Sequence, residues 1–150
     1  DEEIHLLEAA DDACTSVIVD SITCQQYICY SSTFQVPAFY FSLHGSSGAP
    51  LSLEIIAASP LFYASALPDS RRTTFALETS DSAFAMLSQG DHPTLNTPCW
   101  YLHPCHTAEV VDEIMREVAC EEDGHGLRWL EAWFMMLGNV VDLRWGHECT

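Results

Sequence analysis

The chain has 150 residues, 48% of them hydrophobic, enough for one compact domain with a core of its own. Its 22 acidic and 5 basic residues leave a net charge of -17, which repels phosphate backbones and anionic lipid and makes nucleic acid and membrane surfaces poor partners. No run approaches the about 18 uninterrupted apolar residues of a membrane span, and Asp1, Glu2 and Glu3 do not open a signal peptide, so no stable membrane insertion and a cytoplasmic location are expected.

Residues 1–13 are rich in Asp and Glu around Leu6 and Leu7 and read as an acidic tail or frayed helix, leaving 14–150 as a single domain. β-Branched and aromatic residues predict strands over 16–20 (Val17, Ile18, Val19) and 25–30 (Tyr27, Ile28, Tyr30). The segment 36–43 continues them, with Val36, Ala38 and Tyr40 on one face and Phe39, Phe41 and Leu43 on the other. Two apolar faces suggest a central strand, with Pro37 confined to its beginning because it cannot donate to a ladder. The run 44–50 has turn chemistry, and Ser52 stands where it would cap a short helix beginning at Leu53. Residues 59–74 carry no clear pattern. Phe75, Ala76 and Leu77 suggest another strand, followed by a loop through Gln89, Gly90, Asp91, His92 and Pro93 to Pro98.

After Cys105, the residues Val110, Val111, Ile114, Met115 and Val118 recur at helical spacing, with Thr107 as the expected cap and Cys105 about two residues ahead of the helix. A break over 121–126 precedes a second helix marked by Leu130, Trp133, Phe134, Leu137 and Val141, weakened near its end by Gly138. Strands first and helices last predict an α+β domain built on an antiparallel sheet.

The seven cysteines (14, 24, 29, 99, 105, 120 and 149) are odd in number and irregularly spaced, which favours reduced thiols over a disulfide scaffold. Cys105 stands out among them. It sits ahead of a helix, where a thiolate is favoured; Pro104 stiffens the loop that presents it; His103 and His106 bracket it with titratable groups. Three readings fit: a buried cysteine beside a helix cap, a nucleophile, or one of a set of zinc ligands with His92, Cys99, His103 and His106. The last lacks the paired spacing of a structural zinc site, so no metal or cofactor is assigned. Lysine is absent from the chain, all five basic residues being arginine. An enzyme holding an activated ester destined for a lysine amine gains from that absence, although drift in an acidic protein accounts for it equally well.

Gly90-Asp91-His92-Pro93, then Pro98-Cys99-Trp100-Tyr101-Leu102-His103-Pro104-Cys105, then Trp133-Phe134-Met135-Met136-Leu137-Gly138 resemble the autophagy-related protein 10 family. Tyr30-Ser31-Ser32-Thr33-Phe34-Gln35-Val36-Pro37-Ala38-Phe39-Tyr40-Phe41 and Pro50-Leu51-Ser52-Leu53 match it too, in the same order, so the resemblance spans roughly residues 25–145. The autophagy-related protein 3 branch shares His-Pro-Cys and conjugates lipid, but it carries a long acidic insertion for which this length leaves no room. The resemblance implies a ubiquitin-conjugating-enzyme-like fold. It further implies that autophagy-related protein 7, the activating enzyme, passes the ubiquitin-like autophagy-related protein 12 to Cys105 as a thioester, and that a lysine of autophagy-related protein 5 then accepts it. His103 would be the oxyanion donor or a brace for the loop, in the absence of the His-Pro-Asn motif of dedicated ubiquitin-conjugating enzymes. Phe34 falls where the family often has tyrosine, and Glu109 and Asp112 would attract the incoming lysine. A partner-binding module that keeps the fold without the chemistry is the competing class.

Overall fold

The computed structural model describes residues 21–67, 71–72, 76–78, 86–118 and 124–145, so the expected acidic tail at 1–13 and strand at 16–20 lie outside the described residues. In chain order the elements are β1 (Thr23–Ser31), β2 (Val36–His44), α1 (Leu53–Ala58), β3 (Arg71–Arg72), β4 (Ala76–Glu78), β5 (Leu87–Asp91), β6 (Pro98–Leu102), α2 (Pro104–Glu117) and α3 (His125–Val140). The strands form one antiparallel sheet in the order β1-β2-β6-β5-β4-β3. This is the expected α+β, ubiquitin-conjugating-enzyme-like arrangement.

β2 lies inside the sheet between β1 and β6, which explains why both of its faces are apolar. Pro37 is its second residue, opposite Tyr30. One face carries Phe39, Phe41 and Leu43 onto the helices, and Trp100 and Leu102 of β6 extend that layer because they stand opposite the same residues of β2 or continue their register. The helices supply Ile56, Val111, Trp133 and Leu137, all fully buried in the same cluster. Burying side chains of this size contributes about 1.5–3 kcal/mol each. Leu137→Ala should therefore lower the unfolding free energy by about 2–5 kcal/mol in a urea titration, since the cavity it leaves lies where α3 meets the sheet.

The sequence reading needs three adjustments in this frame. The segment 89–98 is largely a hairpin: β5 and β6 pair from Leu87 opposite Leu102 to Asp91 opposite Pro98, leaving only a turn between them. Its turn-forming residues concealed a strand in which Leu87 is the one buried position. Ser52 does occupy the N-cap of α1, but its hydroxyl makes no capping bond. In α3, Trp133 and Leu137 are buried, whereas Leu130 and Phe134 are 36% and 41% exposed, so the inward stripe is narrower than the apolar spacing suggested.

Gly90 is the glycine with a packing reason. A Cβ there would come within 3.0 Å of the Tyr101 ring, which fills the space on the neighbouring strand. Among the described residues, no helix is long and apolar enough to cross a membrane.

Candidate active site

The end of β6 runs directly into α2, and the junction is fixed on three sides. The His103 N–H donates to the Met86 carbonyl at 3.0 Å, which ties the loop to the segment entering β5. Pro104 is the first helical residue, where its missing N–H costs nothing and its fixed torsion suits the helix. His103 itself is the N-cap, extended at φ -64° and ψ 121°, and its Nδ1 accepts the Cys105 N–H at 3.4 Å. An imidazole does here what Ser or Asp usually does. Cys105 thus lies within the first turn of α2 instead of two residues ahead of it, and Thr107 is not the cap: its hydroxyl donates to the Pro104 carbonyl at 3.0 Å.

The same capping geometry brings the imidazole onto the thiol. His103 Nδ1 lies 2.6 Å from Cys105 Sγ. Because Nδ1 accepts a backbone N–H, the neutral ring is assigned its proton on Nε2, and the same Nδ1 faces the thiol sulfur. Burial, and then the nearby His106, hold the His103 imidazole below its ordinary range, which keeps Nδ1 available as an acceptor at neutral pH.

The ionisation of Cys105 departs from the expectation of a favoured thiolate. Burial pushes the thiol up; the His106 N–H pulls it down; the Glu109 carboxylate pushes it up again; and the N–H of Cys105 itself pulls it down, for a net rise. Desolvation outweighs the helix terminus, so the resting group is a thiol already paired with its acceptor. Glu109 stands one helical turn beyond Cys105 and is exposed. Removing its charge in Glu109→Gln should lower the thiol pKa and raise the rate of Cys105 alkylation by iodoacetamide about two- to threefold at mildly alkaline pH. A rate that stayed the same or fell would contradict the electrostatic role given to Glu109.

Phe34 reaches this site from the β1–β2 turn. Gln35 adopts the left-handed conformation at φ 58°, its side-chain amide donates to the Ser32 carbonyl at 2.5 Å, and Tyr30 donates its hydroxyl to Gln35 Oε1 at 3.0 Å. The turn so fixed sets the Phe34 ring edge-on against His103, with centroids 5.3 Å apart. Tyr101 lies 6.1 Å and His106 6.3 Å from the same imidazole. Sequence reasoning missed Met86 and Tyr101 as supports of His103, because both contacts depend on strand pairing.

Other candidates are engaged elsewhere. Asp112 accepts the Trp129 indole N–H at 2.8 Å and so helps to pin α3 to α2. His92 is buried on the sheet face away from the helical core, with its ring against Tyr27 and Tyr40. Its Nδ1 accepts the N–H groups of Thr94 and Leu95 at 3.2 and 3.1 Å, so its Nε2 proton is directed at Cys29 Sγ, 3.5 Å away. Cys99 is buried, and burial, then Asp91 and Cys29, push its thiol up to about 11. The five residues compatible with zinc therefore divide between two places, and among the described residues no three His, Cys, Asp or Glu side chains are grouped to hold a metal ion.

On the side of α2 that carries His106 and Val110, a cavity of about 450 Å³ opens between α2 and α3. Met86, Ile114 and Met136 form its apolar walls, and His103 borders it.

The family model described as "Autophagocytosis associated protein, active-site domain" matches residues 1–147. A ubiquitin-like-conjugating enzyme ATG10 from Arabidopsis thaliana is 31% identical over 122 residues, covering 79% of this chain and 48% of the relative. The enzyme of the same name from Homo sapiens is 23% identical over 129 residues, covering 86% and 53%. That from Dictyostelium discoideum is 28% identical over 124 residues, covering 78% and 49%. The chain spans about half the length of the curated relatives it matches.

Proposed function

Since the chain belongs to the autophagocytosis associated protein active-site domain family, in its autophagy-related protein 10 branch, we propose that it is the catalytic part of a ubiquitin-like-protein conjugating enzyme with Cys105 as the acyl carrier. The observation that carries this reading is the contact between Cys105 Sγ and His103 Nδ1 at the tip of α2. A thiol held against an imidazole acceptor is one of the arrangements that activate a nucleophile for acyl transfer.

In the first step the Cys105 sulfur attacks the thioester carbonyl presented by the activating enzyme, autophagy-related protein 7. The thiol proton passes to His103 Nδ1, the new carbon–sulfur bond forms, and the activating enzyme's cysteine leaves as thiolate. The ubiquitin-like donor is autophagy-related protein 12. In the second step a lysine amine of autophagy-related protein 5 attacks the Cys105 thioester. By then His103 has returned the first proton to the departed thiolate; the isopeptide bond forms as the carbon–sulfur bond breaks, and the amine's proton passes to His103 Nδ1 and from there to the leaving Cys105 sulfur.

The resemblance left His103 as an oxyanion donor or a brace. Nδ1 accepts the backbone N–H and faces the sulfur, which supports the role of base at that atom, with Nε2–H as the ring's remaining donor. Phe34 supports the imidazole edge-on, and Glu109 supplies negative charge where a lysine ammonium would approach. Incubating the charged protein with the acceptor should convert the reductant-sensitive adduct into a reductant-stable conjugate carrying one donor. Transfer to a lipid instead would assign the chain to lipid conjugation, and failure to form any adduct in the first place would leave a binding module.

A further inference from the structure

Gly90 sits within β5 without a backbone reason to be glycine. Among the described residues the glycines with a left-handed backbone are Gly48 and Gly124, both outside the strands, whereas Gly90 pairs with Cys99 in the regular ladder to β6. Glycine weakens a strand, so its use there marks a place where another group comes close. The three atoms nearest to an added Cβ all belong to the Tyr101 ring: Cε1 at 3.0 Å, Cδ1 at 3.6 Å and Cζ at 4.0 Å. Tyr101 itself stands opposite Ser88, so its ring leans back along β6, across the glycine and away from His103. Tyr40 of β2 flanks that ring at 5.4 Å, and the His103 imidazole lies 6.1 Å from it. Phe34 also touches the imidazole, but it comes from a turn and is 42% exposed, so the sheet supplies the firmer wall.

We infer that Gly90 and Tyr101 are positioning residues for His103, an inference that rests on the reading of His103 as the base for Cys105. The missing side chain at position 90 lets the Tyr101 ring lie back over β5. From there the ring walls the imidazole on the sheet side and still leaves it room to turn Nδ1 to the sulfur. A side chain at position 90 would displace the ring by a few tenths of an ångström or more. Tyr40 closes the side toward β2, so the ring must slide forward against His103 or lift off the sheet, and either way the wall moves. Removing the ring has the same consequence from the other direction, since the imidazole then turns away from the sulfur part of the time. Transfer of the thiol proton depends steeply on this alignment: a misplacement of about 1 Å costs about 10²-fold in rate.

The test is a double-mutant cycle on single-turnover charging from the loaded activating enzyme, followed across pH. Gly90→Val and Tyr101→Ala should each slow charging about 10-fold. The double variant should be no more than about threefold slower than either, because the valine then has no ring to displace. Tyr101→Phe, which restores the ring alone, should recover most of the rate lost in Tyr101→Ala. The fall in rate on acidification, as His103 takes up a proton, should shrink in both single variants and leave a rate that climbs with pH. A mere loss of stability would not change that shape. Gly90→Ala, the smaller intrusion, should lose about threefold with the same change of shape, which keeps the test intact if valine disturbs the strand. Charging of Gly90→Val within about twofold of the parent would overturn the inference, as would losses that multiply in the double variant or an unchanged pH profile in both single variants. Failure of the parent itself to form any adduct, with Cys105 still alkylated by iodoacetamide, would overturn the conjugating-enzyme reading and this inference with it.

Discussion

Cys105→Ser is expected to reduce adduct formation by at least about 10³-fold. Any adduct that does form should survive thiol reductants and neutral hydroxylamine while remaining labile to base. The reasoning is chemical. An alcohol is a far weaker nucleophile than a thiol at neutral pH, and the ester it forms is not exchanged by thiols. The His103 ring would still face the substituted oxygen, so a small residual rate is expected instead of complete silence. Cys24, Cys29 and Cys99 stay in place in this variant, but they lie on strands of the sheet and not at the start of α2, and Cys99 is buried with its thiol pushed up to about 11. A Cys105→Ser protein that still formed reductant-sensitive adducts would show that another cysteine carries the acyl group.

His103→Ala should slow charging by about 10²–10⁴-fold, the usual contribution of a positioned base. The larger diagnostic is its pH profile. The His103 pKa is lowered by burial, so its neutral form persists to lower pH than an ordinary imidazole, and the charging rate of the parent should fall only on acidification below about 6.5. That acid limb should vanish in His103→Ala, and the remaining rate should climb with pH as free thiolate appears, since the Cys105 thiol is itself raised. Removing the N-cap also costs about 0.5–2 kcal/mol of stability. A purely structural role for His103 would give that stability loss without changing the shape of the pH profile, so the two contributions separate.

Much of the site could be read from one run of residues, because His103, Pro104 and Cys105 are consecutive and a helical apolar pattern follows them. The start of α2 was set too late. Thr107 matches the usual capping preference, whereas a histidine cap is uncommon and is betrayed only by Pro104 at the first helical position. β1 and β2 were legible within one or two residues from their β-branched and aromatic content. β5 was not, since Ser88, Gln89, Gly90 and Asp91 have the composition of a loop and are held in the sheet by pairing with β6. The placement of Phe34 against His103 depends on the left-handed Gln35 and on the register of two strands, neither of which is visible locally. The ionisation of Cys105 was misjudged for the same reason. A helix terminus can be read from sequence, but the burial that outweighs it is a property of the fold.

The most direct measurement is peptide mapping of the wild-type protein after charging with activating enzyme, ATP and the ubiquitin-like donor, performed without reductant. The account predicts a single acyl group, attached to the peptide that holds Cys105 and released by thiol. An acyl group on a different cysteine, or a bond that resists thiol from the outset, would contradict it.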